Sequence, residues 1–245
     1  MTDLFSLTGK TILVTGASSG IGKQAAILIS QAGGTLCISG RNEYRLEETF
    51  HSLEGTGHRM KTADLTAEMQ LNALVEEAPA LNGVVHCAGI VGPQPVKFIS
   101  QEHIDTMFAI NFEAPVNLTG KLLRKKKILD NASVLFLSTI ATRNPYFGGA
   151  LYSASKAALE AYSKTLALEM TGRGIRSNCL MAGLVDTPMI VNPSEDRMQA
   201  EAMERYLKRY PLGIGKPEDV AGAVLFFLSD ASGWISGTTL ILGGE

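Results

Sequence analysis

The chain has 245 residues, 45% of them hydrophobic and 19% charged, with a formal net charge of −2. That length suits one large α/β domain or two small ones, with ample apolar material for a core. Basic residues do not outnumber acidic ones, which argues against a polyanion binder, and no apolar run is long enough to span a bilayer. In chain order, Thr11 to Thr15 reads as a buried strand, followed by a helix from about Ile21 to Ala32. Thr35 to Ser39 is a second strand, a helix passes through Leu46 and Phe50, and a short strand lies near Arg59 to Ala63. Gly83 to Cys87 is the next strand, ending at Ala88-Gly89, and a long helical region runs from about Gln101 to Lys127. Ser133 to Ser138 is another buried strand, and Leu151 to Met170 a strongly helical stretch. Ile175 to Leu180 returns to strand, Glu218 to Leu228 is a late helix, and Thr239 to Leu242 a last strand.

Strand-helix alternation of this kind implies an α/β fold: a parallel sheet, doubly wound, with helices on both faces and right-handed crossovers. No linker, low-complexity tract or internal repeat divides the chain, so residues 1–245 read as one domain. The stretch from about Asp186 to Pro211 is polar and rich in Met, and it interrupts the alternation. It is a candidate substrate-covering segment. The start lacks a charged leader followed by an apolar stretch, so no signal peptide is expected. Cys37, Cys87 and Cys179 are odd in number and far apart, which suits reduced cytoplasmic thiols better than a disulfide framework or a zinc site.

Two features carry chemistry. The first is the turn Gly16-Ala17-Ser18-Ser19-Gly20-Ile21-Gly22 between the first strand and its helix. Glycine permits a tight turn and close approach of backbone to a pyrophosphate, and the helix N-terminus attracts negative charge. Gly16-Ala17-Ser18-Ser19-Gly20 also matches a nucleophile elbow with Ser18 as nucleophile. A hydrolase of that kind needs a histidine late in the chain. The four histidines, His51, His58, His86 and His103, all precede the later strands.

The second is Tyr152 and Lys156, four residues apart within the helical stretch. Positions i and i+4 share one helix face, so an ammonium stands beside a phenol. A nearby positive charge favours the phenolate and equips the tyrosine to pass a proton near neutral pH. A proton donor with a dinucleotide site is the equipment of a carbonyl reductase or alcohol dehydrogenase.

Taken together, Thr15 to Gly22, Ala88-Gly89, Asn111, Tyr152/Lys156 and Pro217 to Ala221 resemble the short-chain dehydrogenase/reductase family over nearly the whole chain. The resemblance implies a single Rossmann-type domain with a seven-stranded parallel sheet and a homotetramer, with the helices at about 101–127 and 151–170 packing across a two-fold axis. It makes Tyr152 the catalytic acid/base, with Lys156 lowering its pKa and holding the nicotinamide ribose. Asn111 would position a water linking Lys156 to solvent. Thirteen residues before Tyr152, where the family carries its active-site serine, stands Thr139, with Ser138 beside it. Threonine keeps the hydroxyl donor. Gly16, Ser18, Ser19, Gly20, Ile21, Gly22, Ala88 and Gly89 would hold the dinucleotide, and Asp64-Leu65 would meet the adenine. Gly183, Val185 and Thr187 lie where the family holds the nicotinamide carboxamide. His86 and Cys87 replace the family's paired asparagines. His86 is expected to be a strand-end residue with a satisfied hydrogen bond, and Cys87 an inert buried thiol.

In Rossmann folds an acid after the second strand hydrogen-bonds the ribose of NAD. Here that strand ends Ser39-Gly40-Arg41-Asn42, and Arg41 suits a 2′-phosphate, so NADP(H) is expected over NAD(H). Similarity is greatest to 3-oxoacyl-acyl-carrier-protein reductases, which makes an acyl carrier protein a candidate partner at Arg173 and the run Arg124, Lys125, Lys126 and Lys127. Lysine-rich helix ends also stay solvated and serve the helix dipole. Two rival readings stand beside this one. One is a family member acting on a sugar, steroid, polyol or small ketone; the other is a dinucleotide-binding protein without catalysis.

Overall fold

The computed structural model describes residues 4–189 and 212–244. Seven strands, β1 (Thr11–Thr15), β2 (Thr35–Gly40), β3 (Arg59–Thr62), β4 (Leu81–His86), β5 (Ile128–Thr139), β6 (Arg176–Ala182) and β7 (Thr239–Leu242), form one sheet in the order β3-β2-β1-β4-β5-β6-β7. Every pairing is parallel. The helices between them are α1 (Gly20–Gln31), α2 (Glu43–His51), α3 (Glu68–Glu77), α4 (Gln101–Phe108), α5 (Ala114–Arg124), α6 (Ala150–Glu169) and α7 (Pro217–Leu228).

The two-residue period of the strands sorts the core into two layers. Ile12 and Val14 of β1 face one way, with Leu135 and Leu137 of β5, and pack under α1 and α7 through Ala25, Ile29, Val224 and Phe227. Leu13, Val134 and Phe136 face the other way, under α3, α5 and α6 through Leu74, Leu118, Leu159 and Leu166. The strand order reverses at β1, whose Thr15 pairs with Ser39 of β2 on one side and His86 of β4 on the other. In open parallel sheets the crevice at the carboxyl ends of strands flanking such a reversal receives the ligand.

The long helical region expected over 101–127 is two helices. Over Ala109–Glu113 the backbone ladder slips to the wider i→i+5 spacing, and α5 then starts with Pro115 in its first turn, where a missing N–H is tolerated. The slip matters because it turns Asn111 inward, fully buried. Helix α3 was not expected: Glu68–Glu77 has ten residues and buries only Leu71, Leu74 and Val75. Strand β5 starts earlier than its apolar run. Two residues of β4 lie opposite five of β5, and the bulge carries Asn131 at φ 62°. Of the leucines on α6, Leu159 and Leu166 belong to the core, whereas Leu168 is 77% exposed. Among the described residues no helix is long and apolar enough to cross a membrane.

Candidate active site and dinucleotide cleft

The turn after β1 is shaped by what a side chain would collide with. Gly16 sits at φ +67°, and a Cβ there would stand 2.6 Å from the backbone nitrogen of Ala88. A Cβ on Gly22 would overlap the carbonyl of Gly16. The first turn of α1 therefore packs directly against the end of β1 and the segment after β4. Ser19, at the N-cap of α1, makes no side-chain cap bond, and no acidic residue occupies the first turn. The leading N–H groups of α1 are left as donors for an anion.

These elements open onto a cleft of about 430 Å³ lined by Gly16, Ser18, Ser19, Gly20, Ile21, Gly22, Ser39, Arg41, Asp64, Leu65, Ala88, Gly89 and Thr187. The hydroxyl of Ser39 on its wall is buried and has no hydrogen-bond partner among the described residues. A glycine cradle that any Cβ would fill, bare helix N–H groups and an orphaned hydroxyl fit a dinucleotide. Arg45 also lines the cleft, and sequence reasoning missed it. Asn42 caps α2 by accepting from the Arg45 backbone N–H at 2.9 Å, which brings Arg41 and Arg45 to the same corner. Glu43 is not among the lining residues. Asp64 accepts from both the backbone and the hydroxyl of Thr66, and these bonds hold its carboxyl below the usual carboxylate range.

Beyond β6, Gly183 donates to the Leu242 carbonyl at 2.9 Å, and Val185 pairs with Gly215. Thr187 closes over Gly20, whose added Cβ would reach its methyl at 3.3 Å. Pro188 and Met189 complete that wall. Most of the segment expected to cover substrate, residues 190–211, lies outside the described residues.

Behind Gly89, which lines the cleft, Asn111 and Lys156 converge; like Ser138, Thr139, Tyr152, Gly183 and Val185, they are not themselves among its lining residues. A Cβ on Gly89 would lie 3.1 Å from Asn111 Oδ1 and 3.3 Å from Lys156 Nζ, so only glycine lets the chain pass there. Asn111 Oδ1 accepts from the Ile90 N–H at 2.8 Å, and its Nδ2 donates to the Ile90 carbonyl at 3.0 Å and to Ser155 Oγ at 3.2 Å. Lys156 is 5% exposed and donates to the Leu137 carbonyl at 2.8 Å. Tyr152, one turn earlier on α6, is half-buried. At the end of β5, Thr139 Oγ1 accepts from the Ala141 N–H at 3.3 Å. Ser138 instead donates its hydroxyl to Glu160.

Burial pushes Lys156 down from 10.5 to about 8, leaving it mostly an ammonium at neutral pH. Between those two values the unfolded chain holds a proton that the folded chain has released, so stability attributable to this amine rises as pH climbs from 8 to 10.5 and is lower below 8. The difference in urea stability between the parent and Lys156→Met is accordingly expected to move in the parent's favour from about pH 7.5 to about pH 10. A pH-independent difference would show that the amine is not desolvated.

His86 serves the fold. Thr119 donates to the Pro115 carbonyl at 2.8 Å, so its oxygen accepts from His86 Nε2 at 2.9 Å. The imidazole stacks on Phe136 with 4.8 Å between centroids, and burial pushes its pKa down to about 3, which keeps it neutral. Nδ1 has no partner among the described residues, so the expected satisfaction is half met. Cys87 is half-buried and lines the cleft, so it is not the fully buried thiol expected, but desolvation pushes it up to about 12, consistent with an inert group. No histidine lines the cleft that Ser18 faces, so the hydrolase reading has no base.

Known proteins resemble this chain along most of its length. A family model with the description Enoyl-(Acyl carrier protein) reductase matches residues 16–244. The 3-oxoacyl-[acyl-carrier-protein] reductase FabG of Rickettsia felis is 32% identical over 98% of this chain and 98% of that protein. That of Thermotoga maritima is 31% identical over 97% and 98%. Human Dehydrogenase/reductase SDR family member 4 is 31% identical over 100% of this chain and 90% of its own. Among solved structures, a short chain dehydrogenase/reductase family protein superposes with a TM-score of 0.85 at 29% identity, covering 98% of both chains. A short-chain type dehydrogenase/reductase from Mycobacterium ulcerans does so with 0.85 at 27%, covering 97% and 89%. Kinship along the whole length and close superposition on solved structures give one conclusion: this chain belongs to the short-chain dehydrogenase/reductase family, as an NAD(P)-dependent oxidoreductase acting on CH–OH or carbonyl groups.

Proposed function

We propose that this protein is an NADPH-dependent reductase of a 3-oxoacyl group carried by an acyl carrier protein. The observation that carries the reaction is the convergence of Lys156, Asn111 and the end of β5 beneath Gly89, one helical turn from Tyr152. Bound in the cleft, the dinucleotide supplies the hydride for the carbonyl carbon. Tyr152 passes its proton to the carbonyl oxygen, and the nearby Lys156 ammonium favours the phenolate left behind. Thr139 is the second donor to that oxygen: its Oγ1 accepts from Ala141, which uses a lone pair and leaves its O–H free to donate. Ser138 is committed to Glu160. Asn111 holds the bend in the helix and, as the resemblance implies, a water through which Lys156 is reprotonated.

Cofactor choice rests on Arg41 and Arg45. Two guanidiniums at one corner of the cleft, Arg41 just after β2 and Arg45 on α2, with Glu43 not among the cleft-lining residues, suit a 2′-phosphate. The relatives' names support the 3-oxoacyl substrate. A specific observation favours a second reading, in which the substrate is a free ketone or alcohol. The basic surface expected to dock the carrier is largely engaged within the chain. Arg173 donates to Asp130 at 2.7 Å and to the Ile128 carbonyl at 2.7 Å. Lys125 pairs with Glu76 at 2.8 Å, and Lys127 donates to the Ala78 carbonyl at 2.6 Å. The two ion pairs are exposed and a partner can outcompete them, since such pairs contribute about 0–1 kcal/mol, whereas the bonds to the Ile128 and Ala78 carbonyls are partly buried.

Steady-state NADPH oxidation with carrier-bound 3-oxoacyl groups, free 3-oxoacyl thioesters and simple ketones decides between the two. A kcat/KM for the carrier-bound substrate at least about tenfold above the free thioester, lost in Arg173→Ala, supports the first reading; tenfold is about 1.4 kcal/mol. Equal values, with Arg173→Ala neutral, support the second. The proposal includes a cytoplasmic homotetramer with α4, α5 and α6 at a two-fold interface, supported by the family resemblance and by three free thiols.

A further inference from the structure

Glu160 stands one turn beyond Lys156 on α6 and does not line the dinucleotide cleft. Its Oε1 accepts from two hydroxyls: Ser138, and Thr142 at 3.1 Å. Those two residues bracket Thr139. The Thr142 hydroxyl also lies 3.1 Å from the Thr139 carbonyl, so its single proton is shared between that carbonyl and the carboxylate. The neighbouring turn of the same helix reaches the same strand end, with Lys156 donating to the Leu137 carbonyl. Two successive turns of α6 thus grip residues 137, 138 and 142, and Thr139 is the polar side chain left between the grips. Ser138 is 5% exposed and Glu160 half-buried, so a carboxylate here has given up part of its hydration, which is costly unless it is hydrogen-bonded. Bonds to a charged acceptor are shorter and stronger than neutral ones, which makes Glu160 a stiff anchor rather than a filler.

We propose that Glu160 is a positioning residue for the reaction: through Ser138 and Thr142 it holds the end of β5 so that the Thr139 hydroxyl donates to the carbonyl oxygen of the substrate. The inference rests on the assignment of Thr139 made above. It explains why the two adjacent hydroxyls differ in use. Ser138 is the tether, and Thr139 is the donor. A displacement of about 1 Å in a reacting group is enough to cost about 100-fold in rate, so losing the anchor is expected to act on kcat.

The test compares kcat, KM and NADPH affinity of the full-length protein with those of Glu160→Ala, Glu160→Gln, Thr139→Val and the double variant Glu160→Ala/Thr139→Val. Glu160→Ala is expected to lower kcat by about 10- to 100-fold while NADPH affinity stays near that of the parent and the melting temperature falls by only a few degrees. Gln, whose Oε1 still accepts from both hydroxyls, restores most of the rate. The double variant is no slower than Thr139→Val alone, because the two residues act as one unit. If Glu160→Ala does not fold, Ser138→Ala/Thr142→Val replaces it with the same expectation. A parental kcat in Glu160→Ala, or a loss that adds in full to that of Thr139→Val, overturns the proposal. A parental kcat in Thr139→Val overturns the assignment of Thr139 itself. A slow Thr139→Val beside a fast Glu160→Ala removes only the role of Glu160.

Discussion

Tyr152→Phe is expected to reduce kcat for carbonyl reduction by about 100- to 10,000-fold, the range that a positioned proton donor contributes. NADPH affinity should change by less than about threefold, because the variant removes one hydroxyl and leaves the glycine turn, the arginine pair and Lys156 in place. The ring volume is kept, so the melting temperature should hold. Steady-state kinetics together with a fluorescence titration of NADPH check both halves. Retention of the parental rate would show that the proton comes from elsewhere, and the reading of α6 as the catalytic helix would fail. The same experiment addresses the rival in which the chain only binds a dinucleotide. Tight NADPH binding by the parent without turnover across a broad carbonyl panel would favour that rival over an enzyme.

The second large effect concerns cofactor choice. Arg41→Ala is expected to weaken NADPH binding by about 10- to 100-fold while leaving NADH within a factor of about two. That range follows from the roughly 1.5–3 kcal/mol contributed by a hydrogen bond to a charged group, and both arginines are exposed, which favours its lower part. Removing Arg45 as well should bring the two affinities together. The direction is set by charge: the 2′-phosphate is the only difference between the dinucleotides, and the two guanidiniums lie at one corner of the cleft. Asp64, kept ionised by Thr66, lines the same cleft, so loss of both arginines would leave a carboxylate as the formal charge among its described lining residues. Equal affinities in the parent would reject the assignment.

Several parts of this molecule were legible before any coordinates. The strands could be read because a parallel sheet buried on both faces needs short apolar runs, and β7 matches its expected span of Thr239–Leu242. The tight turn after β1 was readable because close backbone approach leaves glycine as the only option, as the collisions at Gly16 and Gly22 show. Helix α3 was not readable. Its ten residues bury one narrow apolar stripe, and that weak local signal acquires meaning only through the sheet beneath it. The division of 101–127 into two helices was likewise hidden, although Pro115 was there to mark it. Arg45 was within reach of sequence reasoning, since it lies four residues from Arg41 across a capping asparagine.

By itself the amino-acid sequence determined the sheet's composition, the place of the dinucleotide turn and the pairing of Tyr152 with Lys156 on one helix, because each depends on spacings of a few residues. Tertiary structure alone decided how hydroxyls, amides and charges are shared out. Asn111 meets Ser155 across 44 residues of chain, Lys156 meets Leu137 across 19, and Ser138 meets Glu160 across 22. Which of two adjacent hydroxyls is tethered, and which amine is desolvated, are set by packing between elements distant in sequence, and no local propensity encodes them.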